Sequence, residues 1–302
     1  MSNPPDSAAT SFPLQSGGWA RGSPRTVVYS SGERLREPSR FLRGWLVDVL
    51  ACRTTAWRLF LRHFAQQYRF TSLGILWAFA PAALTALVLI GGQRSQVVGP
   101  SGAVPAAFYG VFGVALAQSF LESLNATRRV FANHQQLLRR QNVPLEGLIV
   151  ASLVDVAFNM LVRIAIVAVV FLLFSTAPIP ATLPIALVGF FGVAILGAGL
   201  GLLIAPVNAL KRDTEHAFAL LPWTLFAVTP VFVPAAAGTL FGRFAAANPL
   251  AWYFDGIRAA AYGGQGLPAA AVGGAVAGLV ILVCGWLFCR IAQPHVVERM
   301  LA

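Results

Sequence analysis

The chain alternates between long apolar stretches and short polar ones, and six apolar stretches stand out. Residues 73–92 are uncharged and are interrupted by Pro81. Residues 104–121 form the second stretch, which ends at Glu122. Residues 147–174 form the third and contain Asp155 and Arg163. Residues 183–210 are long and glycine-rich, residues 216–241 are broken by Pro222, Pro230 and Pro234, and residues 269–289 form the sixth. A membrane-spanning helix needs about 20 mostly apolar residues. The pattern therefore predicts an all-α integral membrane protein with six transmembrane helices and both termini on one side.

Two shorter patterns add to this. Ahead of the first span, Trp57, Phe60, Leu61, Phe64 and Tyr68 follow an i, i+3, i+4, i+7, i+11 spacing, which is one face of a helix. Arg58, Arg62 and Arg69 fall elsewhere on it. Such a helix lies in the headgroup plane, apolar side down and arginines toward anionic lipid, either as a simple anchor or as a gate beside the bundle. Between the fifth and sixth spans, residues 242–268 are too polar to cross and too apolar for a plain loop. They hold Asn248-Pro249, Trp252, Tyr253, Phe254 and Arg258. Trp and Tyr favour the membrane interface, and the region reads either as one or two short re-entrant helices or as an interfacial loop capping the bundle. Residues 1–40 are rich in Ser, Pro, Gly and Arg and carry no apolar signal core. The predicted organisation is a disordered tail (1–40), an interfacial gate-helix region (41–72), a six-span domain (73–292) and a C-terminal tail (293–302).

Composition sharpens the class. Hydrophobic residues make up 57% of the 302 and charged residues 11%, against roughly a quarter charged in soluble domains. The apolar excess needs lipid as its solvent. The net charge of +11 is not a nucleic-acid footprint, because eighteen of the 22 basic residues fall on one side of the six-span arrangement. By the positive-inside rule that side is cytoplasmic, which places both termini in the cytoplasm and the chain in the cytoplasmic (inner) membrane.

The basic residues include one lysine, Lys211, followed by Arg212. A phosphate-binding loop of the G-x-x-x-x-G-K-[ST] type needs its lysine after glycine, so no such loop exists here. If ATP drives this protein, another chain binds it. Cys52, Cys284 and Cys289 have no metal spacing, and His63, His134, His216 and His295 are scattered. No cluster suited to catalysis or to a metal emerges, so an enzyme is not expected.

Charges inside spans are rare and usually paired. Asp155, Asn159 and Arg163 are spaced by four on one slowly turning face of the third span. The two charged residues lie about 12 Å apart along the axis, a gap for Asn159 or a water to bridge. Two readings stand: polar lining of a translocation path, or a lock to a neighbouring helix. Gly197 and Gly201 make a small-xxx-small pair whose partner is either in the same chain or in a second copy. Gly273, Gly274 and Gly278 are placed similarly in the sixth span.

Several short motifs resemble those of a known family. Arg69, Ser72, Leu73, Gly74 and Trp77, followed by Pro81, resemble the start of the first span in permeases of polysaccharide ABC exporters, in the type-2 ABC transporter superfamily. Arg212-Asp213, Thr229-Pro230-Val231, Asn248-Pro249-Leu250 and Arg258 follow in the order seen in that family. The resemblance covers roughly residues 40–292.

The resemblance implies roles for the polar loops. The loop after the second span, with Arg128, Arg129, Phe131, His134, Leu137, Leu138, Arg139 and Arg140, would dock on an ATPase subunit, with Phe131 and Leu138 as apolar anchors. The turn at Lys211, Arg212 and Asp213 is the second expected contact. The segment from Trp57 to Arg69 would be a gate helix. Asp155, Asn159, Arg163, Trp252, Tyr253, Phe254 and Arg258 would line the path or its exit. The implied function is export of a lipid-linked polysaccharide by a homodimer with two separate ATPase chains, which carry the ATP and Mg; this chain needs no cofactor of its own. The alternatives are an ABC permease for a drug or other small molecule and a gradient-driven secondary transporter.

Overall fold

A computed structural model of the chain describes residues 38–68, 83–88, 90–92, 106–135, 145–174, 180–211, 213–232, 238–262 and 267–301. The regular structure among them is helical. In chain order the helices are α1 (Pro38–Ala51), α2 (Arg53–Tyr68), α3 (Ala106–Arg128), α4 (Val130–Asn133), α5 (Leu145–Phe174), α6 (Leu183–Leu210), α7 (Asp213–Ala219), α8 (Leu221–Val228), α9 (Leu240–Ala247), α10 (Pro249–Tyr262) and α11 (Pro268–Leu301). Residues 83–88 and 90–92 are also helical. The tail before residue 38 and most of the first predicted span lie outside the described residues.

Three stretches, Leu145–Leu173, Leu183–Leu210 and Pro268–Arg299, are long and apolar enough to cross a bilayer. The first, with 29 residues, is about 43 Å long, more than the ~30 Å hydrocarbon core. The architecture is that of an all-α membrane protein.

Helix α6 is the centre of the bundle. It packs along α11 on one side and α3 on the other, with α5 against α3, α10 against both α6 and α11, and α2 on α5. Glycines explain this position. On the α11 side, a Cβ built at Gly199 would stand 2.5 Å from the Leu282 nitrogen, and one at Gly285 2.5 Å from the Gly199 oxygen. On the α3 side, a Cβ at Gly197 would stand 2.5 Å from the Phe120 oxygen, and one at Gly201 would strike Thr127 and Leu124. In lipid, helices gain little from hydrophobic burial and instead associate through such close backbone approach. The Gly197/Gly201 pair thus finds its partner within the chain. Gly278 meets α6 and Gly274 meets Tyr253, whereas Gly273 faces nothing within 4 Å.

The apolar core has two parts. One joins α3, α5, α6 and α10 through Phe108, Phe112, Met160, Phe190, Phe254 and Ile257. The other closes the opposite end through Phe131, Leu145, Leu148, Leu202, Trp286 and Cys289.

Four boundaries differ from the sequence expectation. The amphipathic region is two helices, α1 and α2, rather than one. The second span is extended through Glu122 to Arg128, because Ser119, Ser123 and Thr127 bond back to helix carbonyls and Thr127 Oγ1 also donates to the Ala198 oxygen of α6 at 3.0 Å. The fifth stretch is not one continuous helix: it divides into α7 and α8, then leaves helical geometry at Thr229 and Pro230. Proline cannot donate to the preceding turn, and Pro222 and Pro230 stand at these breaks. The sixth stretch does not end at Cys289; α11 continues through Arg290 to Leu301, so the described part of the predicted C-terminal tail is helical.

Candidate functional site

Three polar constellations organise the bundle. The first lies where α3, α4, α6 and α7 meet. The side chain of Arg128 is 1% exposed and ties three segments together. Its Nε donates to Asn125 Oδ1 at 2.8 Å and its Nη1 to Asn208 Oδ1 at 2.8 Å. Its two terminal nitrogens also donate to both oxygens of Glu215, at 3.0 and 3.1 Å. Such fork-to-fork pairing fixes geometry as well as charge. Arg129 donates to the same carboxylate, Asn208 Nδ2 donates to it at 3.2 Å, and the Arg128 guanidinium stacks 4.7 Å from the Phe218 ring centre. Thr214 donates to Asn208 Oδ1 at 2.9 Å, which fixes the turn. Burial alone would push the Glu215 carboxyl up, but hydrogen bonds from Arg128, Arg129 and Asn208 outweigh it and bring its pKa down to about 2.

This constellation unites two loops that the sequence proposed separately, but it uses their residues differently. Arg128 is spent inside the chain. Phe131 is fully buried in the end cluster, so it is a core residue and not the surface anchor expected of it. His134 is half-buried with Nδ1 3.0 Å from the Val130 oxygen, and burial lowers the pKa of its imidazole. Arg129, Lys211 and Asp213 remain exposed. Leu137, Leu138, Arg139, Arg140 and Arg212 lie outside the described residues.

The second constellation runs along α5. Asp155 and Arg163 are not bridged through Asn159. Asp155 Oδ2 meets His63 Nδ1 of α2 at 2.5 Å. Asn159 and Arg163 instead clamp one carboxylate, Glu122 of α3, from two directions. Arg163 also donates to Ser119 at 3.4 Å. These contacts tie α5 to α2 and to α3. Glu122 ended the second predicted span and went unpaired in the sequence reading; a lone acid in one span and a lone base in the next was the available signal.

Helix α2 also departs from its predicted face. Cys52, Ala56 and Phe60 are buried, and Phe64 meets Phe158 of α5 edge-on at 5.1 Å. Trp57 and Leu61 are exposed, with Arg58 and Arg62 beside them. Sequence spacing merged two adjacent faces, because α2 is apolar on both. Arg69 and the side chain of Tyr68 lie outside the described residues.

The third constellation repairs the broken fifth stretch. A break frees backbone carbonyls, which must find donors away from water. Arg258, 2% exposed, donates from Nη2 to the Val231 oxygen at 3.1 Å and from Nη1 to Asp255 Oδ1 at 3.0 Å. Its guanidinium lies 3.9 Å over the ring of Tyr109, whose hydroxyl donates to the Pro230 oxygen at 3.3 Å. Asn248 Nδ2 donates to Thr229 Oγ1 at 3.0 Å, while Asn248 Oδ1 accepts from the Leu250 nitrogen at 2.9 Å. Asn as helix cap followed by Pro in the first turn is a favoured helix start, and it is how α10 begins. Arg258 is thus a buried brace for the broken stretch. Tyr253 and Phe254 are buried, with the Tyr253 hydroxyl donating to the Gly189 oxygen at 2.9 Å. Trp252 alone of the aromatic trio is exposed.

A cleft of about 340 Å³ between α3, α5 and α6 is lined by Phe108, Phe112, Phe171, Phe190 and aliphatic side chains, with no hydrogen-bonding side chain. Among the described residues, no group of three His, Cys, Asp or Glu is placed to hold a metal. No protein-family model matches the chain, and no curated protein matches it.

Proposed function

We propose that the chain is the transmembrane permease subunit of an ATP-driven exporter that moves a lipid-linked polysaccharide across the cytoplasmic membrane. In this reading it has six spans with α9 and α10 as re-entrant helices, works as a homodimer, and is powered by two separate ATPase chains that bind ATP and Mg. The supporting observation is the Arg128–Glu215 clamp. It makes the α3–α4 corner and the α6–α7 turn one mechanical body, with Lys211 and Asp213 exposed on it. A push on that corner is delivered to α3 and α6, the helices packed along each other at the heart of the bundle. This is the arrangement a permease needs if its energy comes from outside the chain.

The test is co-purification with an ABC ATPase from the source cell, with the exposed residues Asn133 and Lys211 changed together to glutamate. The expected result is a stable complex with the unaltered chain, and loss of complex and of glycan export in the double variant with its fold intact. Transport driven by a proton gradient with no ATPase present overturns the proposal, as does a small molecule being the exported species.

A further inference from the structure

The cleft between α5 and α6 has a braced floor. Both helices pack along α3, and a row of rings runs from one to the other across it. Phe171 of α5 meets Phe108 of α3 at 5.4 Å, Phe108 meets Phe112 one turn on at 5.9 Å, and Phe112 meets Phe190 of α6 at 6.0 Å. Tyr262 of α10 stands edge-on to both Phe108 and Phe112. The rings hold the three helices at a fixed spacing beside a slot of about 340 Å³. Its floor is closed, with Phe108, Phe112 and Phe190 buried, whereas Leu172 and Leu187 at its mouth are 70% and 40% exposed.

The slot runs from Ile164 to Leu172 on α5 and from Leu183 to Phe190 on α6, which is about 10–12 Å by helix rise. One leaflet contributes about half of the ~30 Å hydrocarbon core, so the slot ends within a single leaflet. It lies at the end of α6 away from Asn208 and the Arg128 corner. The chemistry of the walls restricts what can fill it. Left empty, the walls would forfeit their dispersion contacts. A buried water needs about two to four polar partners, and the lining has no hydrogen-bonding side chain. A peptide backbone would bring N–H and C=O groups that these walls leave unanswered, and a sugar or a lipid headgroup fails for the same reason. An apolar cavity of about 150 Å³ already binds benzene and stays dry. Hydrocarbon is the species at this depth of a bilayer that the walls accept.

We propose that this slot is a binding site for one acyl chain of a membrane phospholipid. The chain enters past Leu172 and Leu183, lies along the row of rings, and leaves its headgroup outside the protein. The length of the slot suits this occupant, since an acyl chain ends within its own leaflet, whereas a longer isoprenoid anchor would leave most of its length outside. The bound chain is then part of the packing between α5, α3 and α6. It fills the space that the rings keep open and sets how closely α5 and α6 approach.

The test uses the full chain in phosphatidylcholine nanodiscs doped with phosphatidylcholine that carries a diazirine in mid-chain. After illumination, the labelled peptides are mapped by mass spectrometry. The expected result is labelling concentrated on Phe171, Ala186 and Phe190, above that of Val280 and Phe288, which are exposed on α11. Ala168→Phe places a ring in the slot from an exposed position on α5; it should remove the slot labelling and leave that on α11. Ala186→Leu fills the slot from the α6 side and serves the same purpose if the first variant does not fold. Slot labelling no greater than that on α11 overturns the proposal, as does slot labelling that survives the filling substitutions. A slot that the probe does not enter overturns it too, and would place a protein segment or a second copy there. Displacement of the probe by a polyprenyl phosphate would make the slot an isoprenoid site instead. The readout needs neither ATPase nor transport, so it fails or succeeds independently of the exporter reading.

Discussion

Arg128 and Glu215, 87 residues apart, meet through both guanidinium nitrogens and both carboxylate oxygens at 3.0 and 3.1 Å. The arginine is buried while the carboxylate is 37% exposed. Removing the carboxylate leaves a buried charge with Asn125 and Asn208 as its remaining partners. Glu215→Gln should destabilise the protein by about 1–2 kcal/mol, a figure reduced for the solvent that reaches Glu215. A shift of the thermal transition in detergent would measure it.

The same pair sets a pH dependence. Glu215 has a folded-state pKa of about 2, below its ordinary 4.5. A carboxylate lowered on folding contributes stability that is complete above its unfolded value and lost as pH falls through the folded one. The stability gap between the unaltered protein and Glu215→Gln should therefore be widest above about pH 4.5 and close as pH falls toward 2. Melting curves of both proteins across this range would show it, and a gap that widens on acidification would refute it.

Phe131 separates structural from partner effects. It is fully buried against Leu145, Leu148 and Leu202, so Phe131→Ala should cost about 3 kcal/mol and Phe131→Asp should prevent recovery of folded protein. Size-exclusion profiles would report both. A well-folded Phe131→Asp protein that merely lost an ATPase partner would restore the surface-anchor role.

Glu122 and Arg163 are expected to be non-additive. Each single change to a neutral side chain strands the other charge within the bundle, at a cost of a few kcal/mol. The double change Glu122→Gln with Arg163→Met should recover part of the loss. A double-mutant cycle read by thermal stability should give a coupling of roughly 1–3 kcal/mol; additive losses would show that the two side chains do not act together.

Two glycines give opposite outcomes. A Cβ at Gly199 meets the backbone of Leu282 at 2.5 Å, and one at Gly273 meets nothing within 4 Å. Gly199→Ala should force α6 and α11 apart and cost about 1–3 kcal/mol. Gly273→Ala should stabilise the helix by up to about 1 kcal/mol. Parallel melts of the two variants test the pair.

The long apolar helices α5, α6 and α11 were legible because their length and lack of charge have one physical outlet, a bilayer. Their ends were less so. The apolar run of α11 stops at Cys289, but the helix continues because Arg290 is paired with Asp48 and, at 3.0 Å, with Glu146, partners far away in sequence. The prolines of the fifth stretch announce its breaks; what holds those breaks, Arg258 over Tyr109 and Asn248 on Thr229, comes from other segments. Asp155 and Arg163 stood out as unusual, but spacing along one helix could not show that they answer to His63 and Glu122 on two different neighbours. At the Arg128 corner, sequence located both loops and missed that their residues grip each other.

Asp48 and Arg290 lie 242 residues apart, and Trp45 waits on Trp286 in the same way. At a synthesis rate of about 5–20 residues per second, Trp45 and Asp48 of α1 emerge from the ribosome roughly 10–50 s before the side chains that receive them exist. During that interval α2 can already meet α5, where Phe64 packs on Phe158, but the seat of Trp45 and Asp48 is available only after the last long helix has been made. Docking of α1 is therefore a completion step of biogenesis: a chain truncated before Trp286 keeps the α5 contacts of α2 but lacks both side chains that receive Trp45 and Asp48.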